Sequence, residues 1–184
     1  MTQRLNSVEP AQATGKVKEL YDAVQGQIKM IPNLFRVFAN SAKVLEAHLG
    51  FVGNLSQDSL TPKLREQIAI TVAETNGCEY CLSAHTTLGK MAGLDAGELS
   101  AAQSGQSADA KAQAALAFAR KVVETRGHVS DADLQAVKTA GYNDAQIVEI
   151  LAHVASNIFT NYTNNVAQTK VDFPAVSFIN KKAA

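Results

Sequence analysis

Residues 64–85 read LREQIAITVAETNGCEYCLSAH, and this stretch decides the fold that the sequence predicts. Its first half is a run of good helix formers with apolar residues at helical spacing. Asn76-Gly77 interrupts the run, because asparagine and glycine are typical of helix ends and turns. A new helical pattern starts at about Cys78. The stretch therefore predicts two consecutive helices that pack as an antiparallel hairpin.

The second helix of this hairpin carries the chain's reactive side chains. With about 100° per residue, Cys81 lies about 60° from Cys78 and His85 about 20° from it, so all three share one face. Free backbone N–H groups at a helix start favour a thiolate, which is the reactive form of cysteine. His85 lies one turn after Cys81 and can exchange its proton. This pattern predicts a redox-active Cys-x-x-Cys pair.

The first helix adds a carboxylate to this set. Glu66 is followed by apolar residues at offsets of three, four and seven, so it is expected on or beside the buried face. Glu74 has more polar neighbours and is expected to be more exposed. In an antiparallel hairpin, Glu66 and His85 lie at comparable depth. Burial raises the pKa of a carboxyl group, so Glu66 is predicted to act as a proton relay.

The rest of the chain also reads as helices, with no strand pattern, and the fold class is all-α with about seven to nine helices. The expected N-caps are Ser41, Thr61, Ser107, Ser130 and Asn143. Helices are predicted at about 13–26, 32–39, 42–55, 62–75, 78–93, 95–102, 108–126, 131–139 and 144–169. The inner face of the third is expected to hold Val44, Leu45, His48, Leu49, Val52 and Leu55. That of the last is expected to hold Ile147, Leu151, Val154, Ile158 and Tyr162, and Pro174 marks an irregular tail.

Composition excludes several classes of protein. The 17 basic and 17 acidic residues give a formal net charge of zero, which argues against nucleic-acid binding and electrostatic membrane binding. No apolar run approaches the roughly 20 residues of a membrane span. The only two cysteines are three positions apart and would close almost no loop, so a structural disulfide is not expected. We expect a soluble, cytoplasmic protein that needs no cofactor and no metal.

These motifs together resemble the AhpD-like alkylhydroperoxidase branch of the carboxymuconolactone decarboxylase family. The Glu66, Cys78, Cys81 and His85 spacing carries the resemblance within a core of about 20 residues. Flanking pieces resemble a longer, peroxidase-related subgroup. These pieces are 31–35, 157–162 and 171–174.

The resemblance implies an all-helical fold that assembles as a homotrimer or homohexamer. A single such domain is expected over residues 1–184, with an N-terminal helical extension of about 1–58 and a core of about 59–170. Cys81 would attack hydrogen peroxide or a small organic hydroperoxide and become a sulfenic acid. Cys78 would resolve it as a disulfide, and an external dithiol, either a protein or a small thiol, would reduce the pair. Glu66 and His85 would move protons.

Tyr80 marks a departure from that family pattern. The best-studied family peroxidases carry a histidine in its place, between the two cysteines. A neutral tyrosine, with a pKa of about 10, moves protons less readily than histidine does. Tyr80 is therefore expected only as an accessory residue.

The residues also allow other interpretations. Cys78, Cys81 and His85 suit a zinc site in a structural or regulatory protein. Its fourth ligand would come from Glu66, His48, His128 or His153. Glu66 and His85 alone would suit a non-redox, decarboxylase-like lyase.

Several single residues also have a structural interpretation. Glu66 could form a structural ion pair with Arg65 or Lys63 of a neighbouring chain. His48 and His153 are expected to be structural, and His128 is expected to be exposed. The last helix also carries a polar stripe, for which hydrogen-bonded amides at a subunit interface are favoured over the lining of a substrate pocket. The stripe consists of Asn157, Asn161, Asn164 and Asn165.

Overall fold

The computed structural model describes residues 2–179, and within them the secondary structure is helical, with no strand. A short 3₁₀-helix at Pro10–Gln12 comes first. The predicted all-α fold with seven to nine helices is confirmed. Within the described residues, no helix has both the length and the apolar character needed to cross a membrane. The nine α-helices are α1 Gly15–Ile28, α2 Asn33–Phe38, α3 Ala42–Leu55, α4 Pro62–Asn76, α5 Glu79–Met91, α6 Ala96–Gln103, α7 Ala110–Thr125, α8 Asp131–Thr139 and α9 Asp144–Ala167.

The helix starts follow the capping residues in the sequence. The side chains of Ser41, Thr61, Ser130 and Asn143 each accept a hydrogen bond from the backbone of the first turn, as predicted. The prediction for Ser107 is wrong. Asp109 caps α7 instead, and the Ser107 hydroxyl accepts a bond from the Asp109 backbone N–H. Two capping residues stand close together there, and only the second directly precedes the helix.

Helices α4 and α5 form the predicted hairpin. Gly77 ends α4 with a φ of +63°, a left-handed conformation that glycine adopts without steric cost. The Cys78 N–H then donates to the carbonyl of Ala73 at 2.9 Å, which turns the chain into α5. Helix α4 is the centre of the fold and packs against α5, α6, α7 and α9. It is surrounded because its apolar residues cover most of its circumference, and Ile68 and Ile70 are fully buried.

Four predictions of exposure are wrong, on α3, α4 and α9. Val44 is exposed although it was placed on an inner face, and so are Leu151 and Tyr162. Glu74 is buried, because the chain after α9 returns over α4 and covers it. A helical period marks which residues share a face, but the buried face is set by what packs on it.

The C-terminal segment 171–179, beyond α9, lies across the hairpin. The Val176 N–H donates to the Ser83 hydroxyl at 3.1 Å, and the Ile179 N–H donates to Glu74 at 3.1 Å. Gln103 donates to both Glu74 and the carbonyl of Ser177. These bonds attach the irregular tail to α4, α5 and α6.

Candidate functional site

Both cysteines lie at the start of α5. Cys78 is the N-cap residue, and its Sγ accepts a hydrogen bond from the Cys81 N–H at 3.2 Å. Cys78 is 0% and Cys81 2% exposed. Both are free thiols. The structure therefore places the pair at the predicted helix start but buries it under neighbouring helices.

Glu66 of α4 and His85 of α5 are in direct contact. Glu66 Oε2 lies 2.8 Å from His85 Nδ1, and the side chains are 21% and 24% exposed. The antiparallel hairpin brings them together, because each is roughly two turns or more from Gly77. This pair is the part of the site that reaches the surface.

Within residues 2–179, Arg65 and Lys63 lie near carboxylates other than Glu66. Arg65 lies near Asp58 at 3.7 Å, and Lys63 near Glu98 at 3.3 Å. Glu66 instead contacts His85. Its carboxylate is thus available to orient the imidazole and to hold its positive charge.

Two asparagines of α9 complete the surroundings of Cys81. Asn164 Nδ2 donates to Cys81 Sγ at 3.2 Å. Asn161, one turn earlier, is fully buried and helps to lower the pKa of this thiol, although its amide nitrogen forms no hydrogen bond within residues 2–179. The sequence predicts an interface or a pocket lining for the polar stripe on α9, and it does not predict the contact of Asn164 with the thiol. The available signal was its helical spacing, which placed three amides on one face.

The environment favours a thiolate at Cys81. Burial disfavours the charged form, but Cys78, the positive charge of His85 and the amides of Asn164 and Asn161 outweigh it. Together they lower the pKa of Cys81 to about 7. At neutral pH about half of the Cys81 side chains are therefore charged and nucleophilic.

The same interactions keep Cys78 protonated. Its hydrogen bond with Cys81, its burial and the neighbouring Cys81 charge raise the pKa of Cys78. Burial lowers the pKa of His85, but the Glu66 carboxylate and the Cys81 charge outweigh burial and raise it. The helix start alone would favour a charge on Cys78, yet one dipole effect is smaller than a buried charge repulsion. When the pair loses one proton, the negative charge therefore lies on Cys81 and Cys78 stays a thiol.

Tyr80 turns away from the thiols and holds flanking segments together. Its hydroxyl oxygen accepts a hydrogen bond from the Leu34 N–H at 3.2 Å, and its ring meets Phe173 edge-on at 5.8 Å. Asn33 donates to Asp172 at 2.8 Å beside it. Burial raises the pKa of Tyr80. This tyrosine remains neutral and joins α5 to α2 and to the tail.

The remaining histidines lie in other surroundings. His48 packs among the rings of Phe35, Phe38 and Phe159, and burial lowers its pKa to about 4. His153 contacts Asp58 at 2.6 Å, and His128 is exposed as predicted. Within residues 2–179, no three His, Cys, Asp or Glu side chains are grouped so that they could hold a metal ion. The zinc interpretation is not supported by this arrangement.

One family model matches part of the chain. Residues 42–125 match the model for the carboxymuconolactone decarboxylase family, which confirms the resemblance read from the motif. No match was found among the curated proteins. The matched segment contains Glu66, Cys78, Cys81 and His85.

Solved structures with the same fold are similar over most of their length. A peroxidase-related protein from Ralstonia eutropha JMP134, with an alkylhydroperoxidase AhpD core, has a TM-score of 0.83 and 23% identity over 92% of both chains. A peroxidase-related protein from Silicibacter sp. TM1040 has a TM-score of 0.76 and 22% identity, over 88% of this chain and 85% of that one. The debrominase Bmp8, in a variant complexed with 2,3,4-tribromopyrrole, has a TM-score of 0.80 and 18% identity, over 94% and 93%. At these identities the likeness establishes the fold.

Proposed function

We propose that this chain, whose residues 42–125 match the carboxymuconolactone decarboxylase family, is a thiol-dependent peroxidase. Its substrates are hydrogen peroxide or small organic hydroperoxides. The observation that supports this most strongly is the inequality of the two thiols: Cys81 has a pKa of about 7, whereas that of Cys78 is raised. One sulfur suits attack on an oxidant, and the other suits the later resolving step.

The first step forms a sulfenic acid on Cys81. The thiolate attacks the terminal oxygen of the hydroperoxide, the S–O bond forms and the O–O bond breaks. The electron pair leaves on the alkoxide or hydroxide, which takes a proton from the His85 imidazolium. Glu66, 2.8 Å from His85, stabilises that imidazolium before the transfer, which leaves His85 neutral for the next step.

The second step forms the disulfide. Cys78 gives its proton to the neutral His85, and its sulfur then attacks the sulfur of the Cys81 sulfenic acid. The S–O bond breaks, and the oxygen leaves as water after regaining a proton. An external dithiol then reduces the disulfide and becomes oxidised itself. The cycle consumes one peroxide and two thiol hydrogens.

Intact-mass analysis after a peroxide pulse tests this cycle. The reduced protein should lose two hydrogens, and added dithiol should restore the original mass. Cys78→Ser should stop at a gain of one oxygen, and Cys81→Ser should abolish peroxide consumption. A Cys81→Ser protein that keeps full activity would overturn the assignment.

A second measurement separates this function from the lyase interpretation. A lyase that uses Glu66 and His85 would keep its turnover when both cysteines become serine, whereas the peroxidase would lose all of it. The same assays should include 2,3,4-tribromopyrrole, because a debrominase shares the fold. Bromide release that needs both cysteines and exceeds peroxide turnover would reassign the substrate but keep the dithiol chemistry.

The homotrimer or homohexamer stays a prediction. Exposed apolar side chains line the outer faces of α3 and α9, including Phe51, Phe159 and Tyr162. We expect contacts between copies to bury them. Native mass spectrometry of the full chain measures the assembly directly, and a monomer at micromolar concentration would contradict the prediction.

A further inference from the structure

Asn164 contacts the reactive sulfur although the two residues are far apart in sequence. Asn164 lies on α9, 83 residues from Cys81, and its Nδ2 donates to Sγ at 3.2 Å. The side chain is buried. An amide that donates to a sulfur stabilises the thiolate more than the thiol. Asn164 therefore stabilises the Cys81 thiolate before any substrate binds.

Asn161 is held in one orientation by a different partner. Asn76 Nδ2 donates to Asn161 Oδ1 at 3.0 Å, so the amide nitrogen of Asn161 faces the other way. Asn165 donates to the backbone carbonyl of Asn76 at 3.1 Å, a bond that does not involve the Asn76 side chain. Asn161 lies three residues before Asn164, on the face of α9 from which Asn164 contacts Cys81, so its amide lies on the side of the helix that meets the thiol.

The amide nitrogen of Asn161 has no hydrogen-bond partner among residues 2–179. The side chain is fully buried, and buried donors are nearly always paired, because an unpaired one is costly. Asn157, on the same face of α9, donates to the carbonyl of His153 at 2.9 Å. Of the amide nitrogens of Asn157, Asn161 and Asn164, that of Asn161 alone has no partner within the described residues.

We propose that Asn161 and Asn164 form a two-amide clamp in which Asn164 holds the Cys81 sulfur and Asn161 donates to the first oxygen bonded to it. The inference rests on the proposed peroxidase function. As the S–O bond forms and the O–O bond breaks, negative charge moves onto oxygen, and the fixed N–H of Asn161 stabilises it without giving up its proton. The leaving oxygen still takes its proton from His85.

Two reactions of the same sulfur distinguish this role from a structural one. Hydrogen peroxide brings an oxygen to Cys81, whereas iodoacetamide forms an S–C bond. Both rates are measured by mass spectrometry on the reduced full-length protein, about two pH units above the pKa of Cys81, where the thiol is fully charged. Asn161→Leu should slow peroxide oxidation about tenfold and change alkylation by less than about twofold. Equal losses in both reactions would overturn the proposal.

Asn76→Asp tests the clamp without removing Asn161. A carboxylate at position 76 accepts rather than donates, so it should turn the Asn161 amide around and present an oxygen to Cys81. The same selective loss of peroxide rate is expected. Asn165→Ala disturbs the same end of α4 and keeps the Asn161 orientation, so it should leave both rates near wild type. An unchanged peroxide rate in Asn76→Asp would contradict the proposed donor.

Asn164→Leu should behave differently from Asn161→Leu. It should shift the pH profile of Cys81 alkylation upward by about one unit, and at high pH its peroxide rate should approach that of the wild type at the same pH. An unshifted alkylation profile in Asn164→Leu would overturn the Asn164 half of the clamp. This profile needs no peroxide turnover. A wild-type protein inert to peroxide would therefore refute the proposed function, whereas an unshifted profile would refute the clamp.

Discussion

Two histidine–carboxylate pairs in this fold have similar geometry and different surroundings. Glu66 and His85 lie 2.8 Å apart, and Asp58 and His153 lie 2.6 Å apart. The first pair is 21% and 24% exposed, and its histidine acts on Cys81. The second is 6% and 11% exposed.

The Asp58 carboxylate has a structural role, because it interacts with both backbone and side-chain groups. Besides His153, it accepts a bond from the Leu60 N–H at 3.0 Å and lies 3.7 Å from Arg65. Arg65 also donates to the carbonyl of Leu55. This pair thus ties the turn between α3 and α4 to α9. The two pairs therefore differ in a neighbouring thiol and in access to solvent, which are the two features that the proposed proton relay needs.

The largest expected effect on the peroxide rate comes from replacing His85, the histidine beside the thiol. His85→Asn should reduce the rate of peroxide reduction about 100-fold at pH 7, because the general acid and the charge that favours the thiolate are both lost. Stopped-flow measurement of Cys81 oxidation gives the rate. The matched control is His153→Asn, which should retain the rate within about twofold. Equal losses in the two variants would remove the distinction between the pairs.

The next effect is on stability and belongs to the other pair. Asp58→Asn should lower the free energy of unfolding by about 2 kcal/mol, because the variant loses the buried charge that faces Arg65 and the acceptor that contacts His153. Urea denaturation measures the change. The peroxide rate of the folded variant should stay near wild type. A large loss of rate without a loss of stability would show that this pair takes part in the reaction.

Removal of the relay's carboxylate should have a smaller effect than removal of its histidine. Glu66→Gln keeps the shape and a hydrogen bond but removes the charge that raises the pKa of His85. Less imidazolium is then present at pH 7, and the peroxide rate should fall about tenfold. The loss should shrink at lower pH as His85 regains its proton. A loss that is independent of pH would point to a structural role for Glu66.

The last prediction concerns how the oxidation rate of the wild-type protein depends on pH. Since the pKa of Cys81 is lowered to about 7, the oxidation rate should fall about tenfold per pH unit well below pH 7. The rate should fall again at high pH as His85, whose pKa is raised, loses its proton. Iodoacetamide labelling of Cys81 should follow the first limb and not the second. Labelling with a midpoint near 9 would contradict the assigned thiolate.

Much of the site could be predicted because its parts are close in sequence. Spacing along one helix put Cys78, Cys81 and His85 on one face, and the hairpin at Asn76-Gly77 brought Glu66 to His85. Capping residues marked most helix starts, because caps act through bonds within one turn. The division into an extension of about 1–58 and a core of about 59–170 stays a prediction.

Contacts between distant segments could not be read in the same way. Asn161 and Asn164 meet Cys81 only because α9 packs across α4 and α5 with its amide face inward. Tyr80 could be recognised as a departure from the family pattern, but its bonds to Leu34 and its packing on Phe173 depend on two flanking segments. Glu74 was misjudged because the tail that covers it is about 100 residues away.

The sequence by itself determined the helical class, the hairpin, the dithiol pair and its companion histidine and carboxylate. These follow from interactions within a turn or between adjacent helices, which spacing encodes. Only the tertiary structure decided which sulfur bears the charge and which amides surround it. That outcome depends on burial and on donors from α9, and burial arises only when distant helices pack together.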